Sequence, residues 1–208
     1  MKRRLAAQYV REARDRLTSS SGTRAAFDYE LLRQYAQNRI SASLVILLLV
    51  ATVGFMSGIW SGALTAGTWT AAVLVIHAVM IAKCRQFLER PMSEISARAW
   101  RLRFVALDSF YGLAWMLILI HPVGADESSN TFMLFVMLLV VAVSSMLASS
   151  LPAAVFAATF PITTAVALDC ILQGRLRDYI LAFIALGALG YFAALTYRLY
   201  SRTLATLE

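Results

Sequence analysis

The sequence has little charge and very few cysteines, and these shortages limit what the protein can be. Only 15% of its 208 residues are charged, whereas 60% are hydrophobic and the mean hydropathy is +0.68. In a typical soluble domain about a quarter of the residues are charged. A bilayer-spanning helix needs about 20 apolar residues, and six such helices use most of this chain. We therefore expect an integral membrane domain with no room for a separate soluble one.

Several signatures of membrane enzymes and transporters are also missing from the sequence. No Ser/His pair, HExxH motif or pair of aspartates occurs at compatible depths, which argues against an intramembrane protease. The acidic residues are scattered, which argues against a metal-dependent transferase acting on phosphate-bearing lipids, and there is no glycine-rich phosphate loop. A transporter usually has internal repeats or paired broken helices, and only one such break is visible. We predict no catalytic residue, metal site or resident cofactor in these residues.

The two cysteines, Cys84 and Cys170, are expected at opposite faces of the membrane. A bilayer would separate them, so they cannot form an intramolecular disulfide, and no thiol or metal motif surrounds them. The basic N-terminus is not followed by a short apolar segment with a small-residue cleavage site, which argues against a cleaved signal peptide.

Six apolar stretches predict an all-α transmembrane helical bundle, with spans at about 40–60, 65–83, 104–121, 132–150, 152–172 and 178–197. The fourth and fifth stretches are separated by a short polar segment that ends at Pro152, a residue suited to the first turn of a new helix. One uninterrupted helix through this point would be longer than any bilayer is thick.

Positive charge is distributed unevenly among the segments that connect these stretches. Nine of the 19 lysines and arginines lie in residues 1–39, six in residues 83–103 and two in the C-terminal tail, which leaves Arg175 and Arg177 for the other side. The positive-inside rule therefore places both termini in the cytoplasm. Because topology explains the basic residues, nucleic acid is not an expected partner. The aromatic residues expected at the membrane interfaces are Trp60 and Trp69 outside, and Tyr197 and Tyr200 inside.

The polar ends of the chain are also predicted to be helical. In the basic N-terminal arm, residues 1–39, a weak amphipathic surface helix is indicated by four-residue spacing of Leu5, Tyr9, Ala13 and Leu17. A second helical piece at about 25–39 leads into the transmembrane domain, residues 40–197. Residues 198–208 continue the helical pattern of the last span, and we interpret them as the start of a cytoplasmic signalling helix.

Ionisable residues within a span are energetically costly and often functional, and Asp108 is one of them. It lies about one turn into the third stretch, with Tyr111 and Trp115 on the same helical face. It could hold a ligand or a proton. We favour a carboxylate at the inner interface, paired with Arg101, Arg103 or a tyrosine hydroxyl.

His77 and Asp169 are two further candidate polar residues within the spans. His77, roughly at mid-depth, could bind a metal, a cofactor or a proton, but a lone histidine in a bundle more often hydrogen-bonds a serine or a backbone carbonyl. No second histidine has a matching depth, because His121 falls at the outer end of its stretch. Asp169 lies near the outer end of the fifth stretch, with Arg175 and Arg177 as expected partners.

Pro161 lies in the middle of the fifth stretch, among threonines at 159, 163 and 164. Proline removes a backbone hydrogen bond and bends a helix, and threonine hydroxyls can satisfy the freed carbonyl. The bend is either a signalling hinge or tolerated packing. In the last stretch the small residues Gly187, Gly190 and Ala194 share one face, and we expect them to pack inside the bundle rather than to form a dimer contact.

Five short segments carry a family resemblance: LLRQYA at 31–36, WRLRF at 100–104, GLAW at 112–115, MLASSLP at 146–152 and TLATLE at 203–208. Through them the chain resembles the N-terminal six-span membrane sensor region of alphaproteobacterial sensor histidine kinases, including hybrid kinases. The resemblance covers nearly the whole chain. None of the family's catalytic residues is present in these 208 residues, so none is carried over.

The resemblance implies the sensory or anchoring input module of a two-component histidine kinase, a multi-pass protein of the bacterial inner membrane. It implies a homodimer, with a response regulator as partner through a kinase core that would bind ATP and Mg²⁺. Similar modules also precede diguanylate cyclases, which gives one alternative. Another alternative is a stand-alone small transporter or ligand-binding membrane protein.

Overall fold

The computed structural model describes residues 23–120 and 127–207. Within them the chain forms seven α-helices, one short 3₁₀ helix and no strand. The helices are α1 (Thr23–Ser41), α2 (Ser43–Ser61), α3 (Ala63–Leu88), α4 (Ala97–Ile120), α5 (Glu127–Leu147), α6 (Pro152–Gln173) and α7 (Leu176–Leu207), with the 3₁₀ helix Met92–Glu94 between α3 and α4. The expected all-α fold is confirmed. The surface helix predicted before residue 23 lies outside the described residues, as does His121.

The junction between α1 and α2 lies close to the predicted start of the first apolar stretch. A helical piece was expected at about 25–39 and the stretch from about residue 40; α1 ends at Ser41 and α2 begins at Ser43, with a bend of 52° between the two helices. The bend lets the polar α1 pack against α3 and α4, while the apolar α2 packs mainly on α3.

Short connections at two glycines and one proline set the order of the helices in space. Gly62 (φ 85°) joins α2 to α3, and Gly174 (φ 71°) ends α6. Both glycines have a positive φ that residues with a side chain rarely adopt, and Gly174 caps α6 in the left-handed helical conformation. Pro152 is the first residue of α6, as predicted from its place after the polar segment.

The central pair of the bundle consists of α4 and α6, which form its most extensive helix–helix contact. The two backbones approach closely at Gly112, where an added Cβ would lie 2.3 Å from the carbonyl oxygen of Ala158. Trp69 of α3 is buried beside this pair and donates a hydrogen bond to the Ala114 carbonyl oxygen at 2.7 Å. Trp69 is therefore packed in the core of the bundle, and its expected place at the outer membrane interface stays a prediction. The side chain of Trp60 is outside the described part.

Within the described residues, three helices are long and apolar enough to cross a membrane: α3, α6 and the Leu176–Ser201 part of α7. The bent pair Phe27–Ser41 and Ser43–Ile59 makes a fourth candidate if the two count as one span. In contrast, α4 carries three arginines and Asp108, and Leu134–Leu147 of α5 forms a shorter apolar helix. The chain thus has several helices that could span a membrane, and the six-span arrangement stays a prediction.

Candidate functional site

The most strongly polar feature inside the bundle is an ion pair between α4 and α1. Asp108 on α4 is completely buried, and its Oδ1 is paired with the guanidinium of Arg39 on α1, which is 1% exposed. The other carboxylate oxygen accepts a hydrogen bond from the Tyr35 hydroxyl at 2.5 Å. The Tyr111 ring lies beside the guanidinium. We refer to Tyr35, Arg39, Asp108 and Tyr111 as the Arg39 cluster.

The sequence of α1 explains why an arginine enters the bundle. Tyr35 and Arg39 are four residues apart and therefore lie on the same face of the helix. Leu31 and Leu32 precede them by one turn, and all four side chains are buried. Arg39 thus extends an apolar stripe, and its aliphatic stem can be buried while its head group reaches the carboxylate.

The surroundings of Arg39 favour its charged form and orient its partners. Its guanidinium carbon lies 5.5 Å from the centre of the Tyr35 ring and 6.0 Å from that of Tyr111, which is within the range of cation–π contacts. The Tyr35 hydroxyl donates a hydrogen bond to the Asp108 carboxylate, which fixes the orientation of the carboxylate toward Arg39. The cluster ties α1 to α4 through two charges that are both removed from solvent.

Aromatic side chains from three helices pack around one side of the Arg39 cluster. The Phe104 ring lies 4.8 Å from the Tyr35 ring, and Phe87 and Trp100 pack on Phe104 at 5.7 and 5.6 Å. The guanidinium of Arg103 lies 4.9 Å from the Trp100 ring. These contacts hold α1, α3 and α4 together next to the ion pair.

We expected Asp108 to pair with Arg101, Arg103 or a tyrosine hydroxyl, and of these only the tyrosine hydroxyl contacts it. Arg101 pairs with Asp28 of α1, with 2.6 Å between Nη2 and Oδ1, and Arg103 stacks on an indole ring. The tyrosine hydroxyl that bonds to Asp108 belongs to Tyr35 of α1. Sequence reasoning missed Arg39 because it counted this arginine only among the topological charges of the N-terminal arm.

His77 lies on α3, and its contacts are those of a packed helix residue. Its Nε2 is 3.1 Å from the hydroxyl of Ser43 on α2, and the side chain is buried. This is the kind of serine contact expected of a lone histidine in a bundle. Within the described residues, no group of three or more histidine, cysteine or acidic side chains could hold a metal ion.

Asp169 and Asp178 lie near the connection between α6 and α7. Asp169 accepts a hydrogen bond from Gln173 at 2.9 Å, one turn along the same helix. Asp178, in the first turn of α7, is buried, and its Oδ1 lies 3.8 Å from Nε of Arg177. Sequence reasoning did not single out Asp178. A negative charge in the first turn favours a helix through its dipole, which gives this carboxylate a structural role.

Pro161 interrupts the hydrogen bonding of α6 without ending the helix, which runs from Pro152 to Gln173. The hydroxyl of Thr159 donates to the carbonyl of Val155, and that of Thr164 to the carbonyls of Phe160 and Pro161. The carbonyl that proline deprives of its donor is that of residue 157. The threonine hydroxyls therefore bond to the carbonyls of residues 155, 160 and 161, and the expected bond to the carbonyl of residue 157 is not among them.

The small residues of α7 face away from the rest of the chain, which overturns the expectation that they pack inside the bundle. Gly187, Gly190 and Ala194 are exposed, and a Cβ added at either glycine would meet no heavy atom within 4 Å. The reason is that α7 packs against α5 and α6 through a different face, which bears the buried residues Ala182 and Ala185.

Comparison with known proteins identifies no relative: no family model, no curated protein and no solved structure matches the chain. The site is therefore interpreted from its own geometry. That geometry contains a buried ion pair joining two helices, a proline within a third, and a long, weakly buried seventh helix.

Proposed function

We propose that the chain is the membrane-embedded input module of a sensor histidine kinase. In this proposal its six apolar stretches cross the bacterial inner membrane, both termini are cytoplasmic, and the module works as a homodimer. The kinase core that follows it would bind ATP and Mg²⁺ and would transfer phosphate to a response regulator. No catalytic group of the kinase belongs to these residues.

The observation that carries the proposal is the length and continuity of α7. It has 32 residues without a break, which corresponds to about 48 Å of helix, whereas the hydrocarbon core is about 30 Å thick. One rigid element can therefore begin at one face of the membrane and extend well beyond the other. Such an element can carry a displacement from the bundle to a cytoplasmic domain.

The bundle also contains elements that could move α7. α7 packs on α6, and α6 in turn packs on α4, which the Arg39 cluster joins to α1. A stimulus that shifts α4 or bends α6 at Pro161 would change the surface on which α7 rests. Two packings that differ by a few kcal/mol are sufficient for such a switch.

The first test is the reading frame of the source gene after the codon for Glu208. A coiled coil followed by a phosphoacceptor histidine and an ATP-binding domain would support the proposal. The full-length protein in lipid nanodiscs should then phosphorylate itself with ATP and Mg²⁺. A stop codon at this point would refute the proposal, and a diguanylate cyclase domain would change the output class.

A further inference from the structure

A cleft of about 290 Å³ lies where four parts of the chain meet. One wall is apolar and consists of Leu31 and Leu32 of α1 together with Leu151 and Pro152 of the α5–α6 turn. The volume is close to the lower end of the range for ligand pockets, about 300–1,000 Å³. It can hold a head group and the first part of an apolar chain.

Ser150 gives the cleft an unsatisfied hydrogen-bonding group. It lines the cleft and is 2% exposed, yet its hydroxyl has no hydrogen-bond partner in the described part of the chain. A buried hydroxyl without a partner costs free energy, and a ligand atom within reach would remove that cost.

The N-terminus of α6 opens into the same cleft, where Pro152 and Ala153 form part of the lining. The residue before the helix is Leu151, which cannot cap it, and no side-chain cap is present. Pro152 has no N–H, and the N–H groups of Ala154 and Val155 bond to the Leu151 carbonyl oxygen, which leaves the Ala153 N–H as the donor of this first turn. The helix dipole makes this end favourable for an anion. Ser150 stands two residues before the helix, so a hydroxyl donor and the helix end act together.

A guanidinium and two phenols complete the polar part of the cleft. Arg101 of α4 is bound through Nη2 to Asp28 at 2.6 Å, and both residues line the cleft. A guanidinium has five N–H donors, so Arg101 can hold Asp28 and a second anionic group together. Tyr197 and Tyr200 of α7 face the cleft from the other side.

We propose that this cleft binds the anionic head group, phosphate or carboxylate, of an amphipathic molecule, together with the first part of an apolar chain. The head group would contact Arg101, Ser150 and the first turn of α6, and the chain would lie on Leu31 and Leu32. The molecule would come either from the bilayer, as an anionic lipid, or from solution, as a free amphiphile. The proposal concerns binding alone and does not rest on the signalling function.

The test uses the protein in nanodiscs of phosphatidylcholine, titrated with decyl phosphate, decanoate and decanol by calorimetry. We expect the two anions to bind and the alcohol to bind at least about tenfold more weakly, because hydrogen bonds to a charged group are the stronger kind. Arg101→Gln should weaken decyl phosphate binding about tenfold or more. Arg98→Gln, which removes the same charge one turn earlier on α4 and outside the cleft, should change it less than about twofold.

The source of the ligand is distinguished by a second measurement. Nanodiscs that contain phosphatidylglycerol are exchanged into detergent, and retained lipid is counted by native mass spectrometry. Lipid retained by the wild type and by Arg98→Gln but lost in Arg101→Gln identifies a bilayer lipid, whereas decyl phosphate binding without retained lipid identifies a free amphiphile.

Three results would overturn the proposal: no anion binding together with no retained lipid, equal binding of decanol and decyl phosphate, or equal losses in Arg101→Gln and Arg98→Gln. Ser150→Ala serves as a mild second variant that keeps the fold. It should weaken anion binding about threefold to tenfold without lowering the unfolding temperature of the free protein, because it removes a buried hydroxyl that has no partner.

Discussion

Asp108 and Arg39 are 69 residues apart in the sequence, and their side chains form an ion pair that is almost completely buried. Breaking a buried pair by removing one partner is more costly than replacing both partners, because it leaves an uncompensated charge in the interior. A single substitution in the Arg39 cluster should therefore lower the free energy of unfolding more than replacement of both charges.

Arg39→Ala should lower the free energy of unfolding by about 3–5 kcal/mol, because Asp108 would keep a buried charge without its partner. The measurement is unfolding in a titration of mixed micelles with sodium dodecyl sulfate. Arg33→Ala is the matched control on the same helix, since the pair of Arg33 with Glu30 is exposed and should contribute at most about 1 kcal/mol. The double variant Arg39→Met, Asp108→Leu should recover most of the lost stability. Equal losses in Arg39→Ala and Arg33→Ala would contradict a buried pair.

Tyr35→Phe should cost about 1.5–3 kcal/mol, because it removes a hydrogen bond to a charged carboxylate while keeping the ring that packs on Phe104. Tyr191→Phe is the control, since Tyr191 is 65% exposed. Both variants can be compared by the same unfolding titration. A Tyr35→Phe protein as stable as the control would mean that the hydroxyl contributes nothing to the cluster.

Gly112→Ala should destabilise the bundle by about 1–3 kcal/mol, because its Cβ would be forced against the backbone of Ala158 on α6. The same substitution at Gly187 meets open space and should be neutral or stabilising by up to about 1 kcal/mol, since alanine is the better helix former. Thermal unfolding in nanodiscs compares the two directly. If the order were reversed, the close contact between α4 and α6 would be wrong.

Pro161→Ala should change kinase output in the full-length protein without removing it from the membrane, because alanine restores the backbone donor whose absence would let α6 bend. Pro91→Ala, in the exposed connection before α4, is the control and should leave output unchanged. Autophosphorylation and membrane fractionation are measured for both variants. Unchanged output of Pro161→Ala across stimuli would refute the hinge.

The proposed topology predicts which introduced cysteines can be labelled from outside the cell. Cys84 and Cys170 are buried, so their background labelling should be low. Arg175→Cys should react with a membrane-impermeant maleimide in intact cells, whereas Ser93→Cys should react only after permeabilisation. Both positions are exposed in the bundle. Labelling of Ser93→Cys in intact cells would invert the orientation.

The positions of most helices could be predicted because local signals mark them. The start of α6 follows from Pro152, and the extent of α7 follows from an uninterrupted helical pattern that continues to Leu207. A boundary near residue 40 was expected, but the 52° bend at Ala42 could not be predicted, because no glycine or proline marks it. It depends instead on the packing of α1 against distant helices.

Of the buried ion pair, Asp108 could be predicted from the sequence and Arg39 could not, because their pairing also depends on contacts between distant helices. An aspartate in an apolar helix is conspicuous, so Asp108 was found, but its counterion belongs to another part of the chain. The available signal was the four-residue spacing of Tyr35 and Arg39 at the end of an apolar stripe. The face of α7 that carries Gly187 was misassigned because small residues permit close contact but do not specify which partner makes it.

The order of the two charges along the chain has a consequence for how the protein is made. The ribosome completes α1, with Arg39, well before it reaches Asp108 in α4. If α4 entered lipid alone, its aspartate, about one turn inside the predicted span, would add to the cost of insertion, which reaches about 2.5–3.5 kcal/mol for an aspartate at the centre of a helix. With α1 already in place, the carboxylate meets its counterion as it arrives. We therefore expect α4 to depend on the earlier helices for its insertion, and its isolated segment to be a poor substrate for the translocon.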